Sequence, residues 1–205
     1  MSIKVLGLTG PSGAGKGTAA TLFAKYGIPS IDTDAVYHTL LREDGALNAE
    51  LANAFGTSIL GENGRVERKR LAAAVFGQEN TPALLHTLNT ITHKYVMART
   101  WKLVREIEEN GARAVLIDAP QLFEAGVEKD CLFVIGVLAP REVRLARITK
   151  RDGIPHDAAE RRINAQRDDA FFRKACQYIL ENDSDEAALE AQVRALLEHS
   201  GVGLA

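Results

Sequence analysis

The feature that most constrains this chain lies within its first sixteen residues. Ile3-Lys4-Val5-Leu6-Gly7-Leu8 is short and mostly apolar, the pattern of a buried parallel strand. Gly10-Pro11-Ser12-Gly13-Ala14-Gly15-Lys16 follows, and a helical pattern from about Lys16 to Lys25 buries Ala19, Leu22 and Phe23. Glycines at these spacings let successive backbone N–H groups converge on phosphate oxygens, and the helix N-terminus adds a favourable dipole. Lys16 reaches the terminal phosphates as a point charge. A dinucleotide-binding turn spaces its glycines differently and has no Lys after the last of them. The expected site is therefore a nucleotide phosphate loop comprising Gly10, Ser12, Gly13, Ala14, Gly15, Lys16, Gly17 and Thr18. The general pattern has Ser or Thr directly after the Lys as a magnesium ligand. Here Gly17 stands there and Thr18 comes next, so the metal is expected to be held largely by water and substrate phosphates, with Thr18 as a candidate contact.

Gly27 marks the end of the first helix, and Ile28-Pro29-Ser30-Ile31-Asp32 reads as a second strand. Strand, helix and strand in that order imply a right-handed crossover and a parallel sheet. From about Thr33 to Asn110 the pattern is mainly helical, with breaks at Gly45, Gly56, Gly61-Glu62-Asn63-Gly64 and Gly77. Arg113–Asp118 and Cys131–Val137 read as further buried strands, and Gln177–Leu180 as a last one. Asp183 and Glu186 have the spacing of a capping box ahead of a closing helix that carries Leu189, Val193, Leu196 and Leu197 on one face.

Charge separates these regions. The formal net charge is -2, which gives no global field toward nucleic acid or an anionic membrane. Residues 1–140 contribute -1 (14 basic, 15 acidic), residues 141–174 contribute +4 (10 basic, 6 acidic), and residues 175–205 contribute -5 (1 basic, 6 acidic). Arg141, Arg144, Arg147 and Arg151, spaced three, three and four residues apart, lie broadly along one helical face. Beside a phosphate loop this basic segment reads as a lid, because guanidinium groups stabilise phosphoryl charge and a closing lid excludes water. Without the loop it would read as a solvated helix face.

Acids stand at the expected strand ends. Asp32 and Asp34 follow the second strand, where a base for a hydroxyl acceptor is needed; Asp32 also suits a helix cap. Asp118 ends the third strand and suits either an outer-sphere magnesium contact or a turn-fixing role. Glu124 is suited to substrate or to a nearby cation. Cys131 and Cys176 match neither a disulfide framework nor a zinc spacing. No apolar stretch is long enough to cross a bilayer, the first residues are not a secretory signal, and aromatic residues make up only 6%, too few for a base-stacking platform. A cytoplasmic protein without a nucleic-acid, membrane or obligate protein partner is expected.

Taken in order, Gly7-Leu8-Thr9-Gly10 with the loop, Ile31-Asp32-Thr33-Asp34, Phe55-Gly56, Arg68, Leu71, Val75-Phe76, Ile91-Thr92-His93, Asp118-Ala119-Pro120, Leu122-Phe123-Glu124, Arg144, Arg147, Arg161, Ile163, Gln166 and Asn182 resemble the dephospho-coenzyme A kinase family along nearly the whole chain. The resemblance implies an α/β fold: a P-loop NTPase-like parallel sheet flanked by helices, with a helical acceptor-binding insertion and an Arg-rich helical lid. It implies a nucleotide-binding core at 1–34, 110–140 and 175–205, an acceptor domain at 35–109 and a lid at 141–174. It also implies ATP-dependent phosphorylation of the 3′-hydroxyl of dephospho-CoA, with Mg2+. Asp34 would be the base, Lys16 and Arg147 would stabilise the phosphoryl group, and Arg144 would join the ATP site. Arg68, His93 and Glu124 would bind the acceptor with Asp34, and Asn182 would lie near the adenine. Gly17, Lys94, Gln121 and Gln177 depart from the usual residues. Gly-Lys-Gly-Thr resembles the form in nucleoside monophosphate kinases, but the insertion carrying Arg68 and His93 argues against that family. A guanine-reading Asn-Lys-x-Asp stretch, which a GTPase switch would need, is absent.

Overall fold

The computed structural model describes residues 2–76 and 80–202. The break expected at Gly77 lies outside the described residues, as do Met1 and the last three positions of the chain. The described chain forms two compact units, Met1–Asp32 with Val104–Ala205, and Thr33–Leu103.

The first unit is built on five parallel strands: β1 (Lys4–Thr9), β2 (Ser30–Asp32), β3 (Ala114–Asp118), β4 (Phe133–Leu138) and β5 (Tyr178–Glu181). Their order is β2-β3-β1-β4-β5, so β1, with its loop, is the central strand. Alternation along β1 explains the two faces of the sheet. Leu6 and Leu8 enter a core with Phe23 and Leu22 of α1 (Lys16–Lys25) and with Leu189, Val193, Leu196 and Leu197 of α9 (Glu186–Ser200). Gly7 faces the other way, toward Leu122, Cys131 and Val134. Both cysteines are free thiols, and burial pushes Cys131 up to about 12 and Cys176 up to about 11.

Three local expectations shift. β2 is shorter than Ile28–Asp32, because Ile28 N–H closes back on Phe23 O (3.2 Å) at the end of α1. β5 runs one residue later, through Glu181. The last helix is capped by Asp185 rather than Asp183: the Asp185 side chain accepts from Ala188 N–H at 2.8 Å, since the chain is still leaving the strand at Asn182, tied to Leu138 O.

The basic segment forms α6 (Arg141–Asp152), α7 (His156–Asn164) and α8 (Asp169–Ala175). Leu145, Ile148, Ala159 and Ile163 make a small apolar cluster of their own, with Ile154 packed against it. The segment is therefore more deeply packed than its sparse apolar residues suggest. Arg144 is 5% exposed.

The second unit is helical: α2 (Thr33–Glu43), α3 (Gly45–Phe55), α4 (Arg68–Val75) and α5 (Thr81–Glu109), the last continuing past Leu103 into the first unit. Its described residues contain one isolated antiparallel bridge, Leu60 with Val66, and no strand. Asp44 caps α3 by accepting from Leu47 N–H at 2.9 Å. Buried Asn48 is its polar centre: its amide donates to Leu41 O (3.1 Å) and Asp44 O (2.6 Å), and its Oδ1 accepts from Val66 N–H (2.6 Å).

Candidate active site

The loop between β1 and α1 leaves the sheet in backbone conformations that exclude side chains. Gly10 has φ +144°, and a Cβ there would lie 2.3 Å from Val137 O. Gly15 has φ +100°, and a Cβ there would lie 2.0 Å from Asn182 Nδ2. Only glycine fits both positions. Among the described residues, the N–H groups of Gly13, Gly15, Lys16 and Gly17 have no acceptor, and Gly15 caps α1 without a side chain. A row of unpartnered donors at a helix N-terminus is an anion site.

N–H groups directed to one side leave carbonyls on the other, and these need donors of their own. Residues distant in sequence supply them. Arg144 Nε donates to Ser12 O (3.1 Å), and Arg147 Nη1 donates to Gly13 O (3.2 Å) and Ala14 O (3.3 Å). Asn182 Nδ2 donates to Ala14 O at 2.7 Å, and Gln166 Oε1 accepts from Ser12 N–H at 3.0 Å. Arg144 also reaches Asp169 at 3.3 Å; burial pulls its guanidinium below the usual range and the Asp169 carboxylate opposes that. The four arginines of α6 thus divide. Arg144 and Arg147 hold the loop, whereas Arg141 pairs with Asn164 and Glu160, and Arg151 with Asp152, which Arg162 also contacts.

Lys16 opens α1, half-buried, with Gly17 and Thr18 exposed beside it. Asp118 stands at the carboxyl end of β3, in register with Asp32 on β2 and Leu8 on β1. Among the described residues no three His, Cys, Asp or Glu side chains gather as metal ligands. A magnesium ion held mainly by substrate phosphates and water needs no such cluster; Asp118 ends β3 and Thr18 lies in the first turn of α1. Glu124 accepts from Arg167 Nε at 2.9 Å, and Arg167 lies over the Phe171 ring at 4.2 Å. The Asn182 side chain, expected beside the adenine, donates its amide to Ala14 O of the loop.

In the helical unit, Asp34 is exposed in the first turn of α2 and Arg68 opens α4. His93 is half-buried on α5. Lys94, one of the departures from the family pattern, pairs with Glu50 of α3 at 3.0 Å, where Tyr95 Oη also donates at 2.7 Å. The Tyr95 hydroxyl, and then Lys94, hold the Glu50 carboxyl below its ordinary value. A pocket bounded by His38, Arg42, Arg65 and Arg68 contains, of the site residues expected from the sequence, Arg68 alone.

Comparison with known proteins identifies the family. The dephospho-CoA kinase family model matches residues 4–188. The chain belongs to the dephospho-CoA kinase family. Among curated members, the Corynebacterium glutamicum dephospho-CoA kinase is 33% identical, covering 94% of each chain, and that of Fusobacterium nucleatum is 33% identical, covering 97% of this chain and 99% of its own. The solved structure of TT1252 from Thermus thermophilus superposes with a TM-score of 0.80 at 31% identity, covering 97% of this chain and 98% of that one. A shikimate kinase from Acinetobacter baumannii, at 17% identity, 97% and 94% coverage and a TM-score of 0.51, shares the fold. The α/β parallel sheet with its phosphate loop is therefore that of a kinase of coenzyme A biosynthesis. Among the described residues no helix is long and apolar enough to cross a membrane.

Proposed function

We propose that this chain transfers the γ-phosphoryl group of ATP to the 3′-hydroxyl of dephospho-CoA, giving CoA and ADP in the cytoplasm. The supporting observation is the loop itself: N–H donors left open at the start of α1, and carbonyls braced from behind by Arg144, Arg147 and Asn182. Such preorganised donors act without reorganisation when charge develops on the transferred group. Lys16 binds the terminal phosphates, while Arg147 keeps further N–H donors of its fork for the moving phosphoryl group. Asp34 takes the proton from the 3′-hydroxyl as that oxygen bonds to the γ-phosphorus. The bond from the γ-phosphorus to the bridging oxygen breaks, and ADP leaves with its electron pair. Arg68, His93 and Glu124 contribute to acceptor binding. Mg2+, with Asp118 and Thr18 nearby, neutralises phosphate charge when bound.

The test is a coupled ADP-release assay with dephospho-CoA beside AMP, CMP and dTMP as acceptors. Turnover with dephospho-CoA alone is expected. Turnover with a monophosphate and none with dephospho-CoA would falsify the assignment.

A further inference from the structure

Glu124 stands in the turn that follows β3, and its backbone is well fixed. Leu122 anchors the turn by full burial, while Ala125 N–H on Gln121 O (2.9 Å) and Val127 N–H on Leu122 O (3.0 Å) close it. The side chain is another matter. It is 39% exposed, and a glutamate on an open turn has rotamer freedom to lose when it binds anything. It also carries the wrong sign of charge for an acceptor that bears a diphosphate, which an unpaired carboxylate repels.

Arg167 answers both difficulties. Its Nε donates to Glu124 Oε1 at 2.9 Å, and its guanidinium lies over the Phe171 ring at 4.2 Å. Phe171 meets the Phe123 ring edge-on at 5.3 Å, so the residue beside Glu124 is held by the same aromatic that holds Arg167. Two contacts thus join the segments 123–124 and 167–171. The contact to the carboxylate is single: among the described residues, Glu124 Oε2 accepts no other hydrogen bond.

Arg167 is itself placed from the side of the phosphate loop. It lies in the short link between α7 and α8, 165–168. Its neighbour Gln166 accepts from Ser12 N–H at 3.0 Å, and Asp168 caps α8 by accepting from Phe171 N–H at 2.8 Å. Asp169 reaches Arg144, which holds Ser12 O. An exposed ion pair adds little to stability. What this scaffold fixes is the direction of one carboxylate.

We infer that Arg167 is a positioning residue for the acceptor: it holds the Glu124 carboxylate in one orientation, offsets its charge and leaves Oε2 to accept from a hydroxyl or amine of dephospho-CoA. The inference rests on the proposed reaction, with Glu124 as an acceptor contact, and names what orients that contact. A carboxylate already immobilised has less entropy to lose on binding than a free one. Arg suits the position better than Lys, because a planar guanidinium lies flat on a ring while its Nε stays on the carboxylate.

The test is steady-state kinetics of the full chain, varying dephospho-CoA and ATP separately, with thermal unfolding to verify the fold. Wild type is compared with Glu124→Ala, Arg167→Met, Arg167→Lys and the double variant Glu124→Ala/Arg167→Met. Arg167→Met is expected to raise KM for dephospho-CoA by ~5-fold or more, with KM for ATP within about 2-fold of wild type, and Arg167→Lys to recover part of the loss. In the Glu124→Ala background, Arg167→Met should add less than about 2-fold, since a residue that acts through Glu124 then has nothing to position. Additive losses in the double variant, an equal rise in KM for ATP, or a change under about 2-fold in Arg167→Met overturns the inference. Wild type without turnover on dephospho-CoA removes the proposed function together with the inference. Normal kinetics in Glu124→Ala removes Glu124 from the acceptor site, and the inference with it, while the reaction stands. A loss in Glu124→Ala beside an unaffected Arg167→Met removes the inference alone.

Discussion

The phosphate loop of the core and the basic pocket of the helical unit both suit anions, but they are made of different material. The loop offers backbone N–H groups, positioned by glycines and by side chains more than a hundred residues away in sequence. The pocket offers side chains from two short, neighbouring stretches, 38–42 and 62–70. A backbone site is intolerant of an added Cβ wherever other chain segments press on it, as at Gly10 and Gly15, and indifferent to the identity of most of its other residues. A side-chain site depends on individual charged groups and tolerates changes in the backbone between them. Their responses to mutation therefore differ in kind.

The largest effect is expected where the loop has no room. Gly15→Ala places a Cβ against Asn182 Nδ2 at 2.0 Å in a left-handed conformation, so ATP-dependent turnover should fall at least ~10³-fold. Turnover within about 5-fold of wild type would break the distinction between the two sites. Asp34→Asn comes next. Loss of the base should lower kcat by at least ~10²-fold with little change in KM for ATP, and near-normal kcat would remove Asp34 from that role. Arg144→Met tests the bracing from behind. Because Arg144 touches Ser12 O and Asp169, its loss should raise KM for ATP about 10-fold more than KM for dephospho-CoA. Arg144→Lys should restore little, since one ammonium cannot replace the forked contact.

Smaller effects sharpen the picture further. Arg151 first, then Arg162, hold the Asp152 carboxyl at about 2, below its ordinary 3.8. This contribution is present above pH ~4 and is lost as pH falls from there toward 2. Asp152→Asn should therefore remove that acid-dependent step in thermal stability, by less than about 1 kcal/mol because the cluster is largely exposed. The smallest effect is expected at Gly17. Nothing lies within 4 Å of a Cβ there and its φ is ordinary, so Gly17→Ser should keep the fold and change turnover less than about 3-fold. A large loss would mean that the loop requires this glycine as it requires Gly15.

Much of the core was legible because its signals are local. An apolar run, a glycine-rich turn and an amphipathic helix each report their own conformation, and α1 begins and ends where the pattern predicts, Lys16–Lys25. Competition between neighbouring hydrogen bonds was less legible. The cap of α9 fell to Asp185 rather than Asp183, and the closure of Ile28 on α1 shortened β2. The pocket at His38 escaped notice because, apart from Arg68, its basic residues belong to no motif: Arg42 ends α2 and Arg65 follows the Gly61–Gly64 turn.

By itself the sequence determined the strand–loop–helix unit, the parallel sheet and the residue types for phosphoryl transfer, because period and glycine placement act over a few residues. Tertiary structure alone decided which arginines of α6 reach the loop, what Asn182 touches and that His38 faces a basic cavity. Those outcomes depend on contacts between segments 20 to 170 positions apart, and only the packed chain brings their donors within reach of the carbonyls they satisfy.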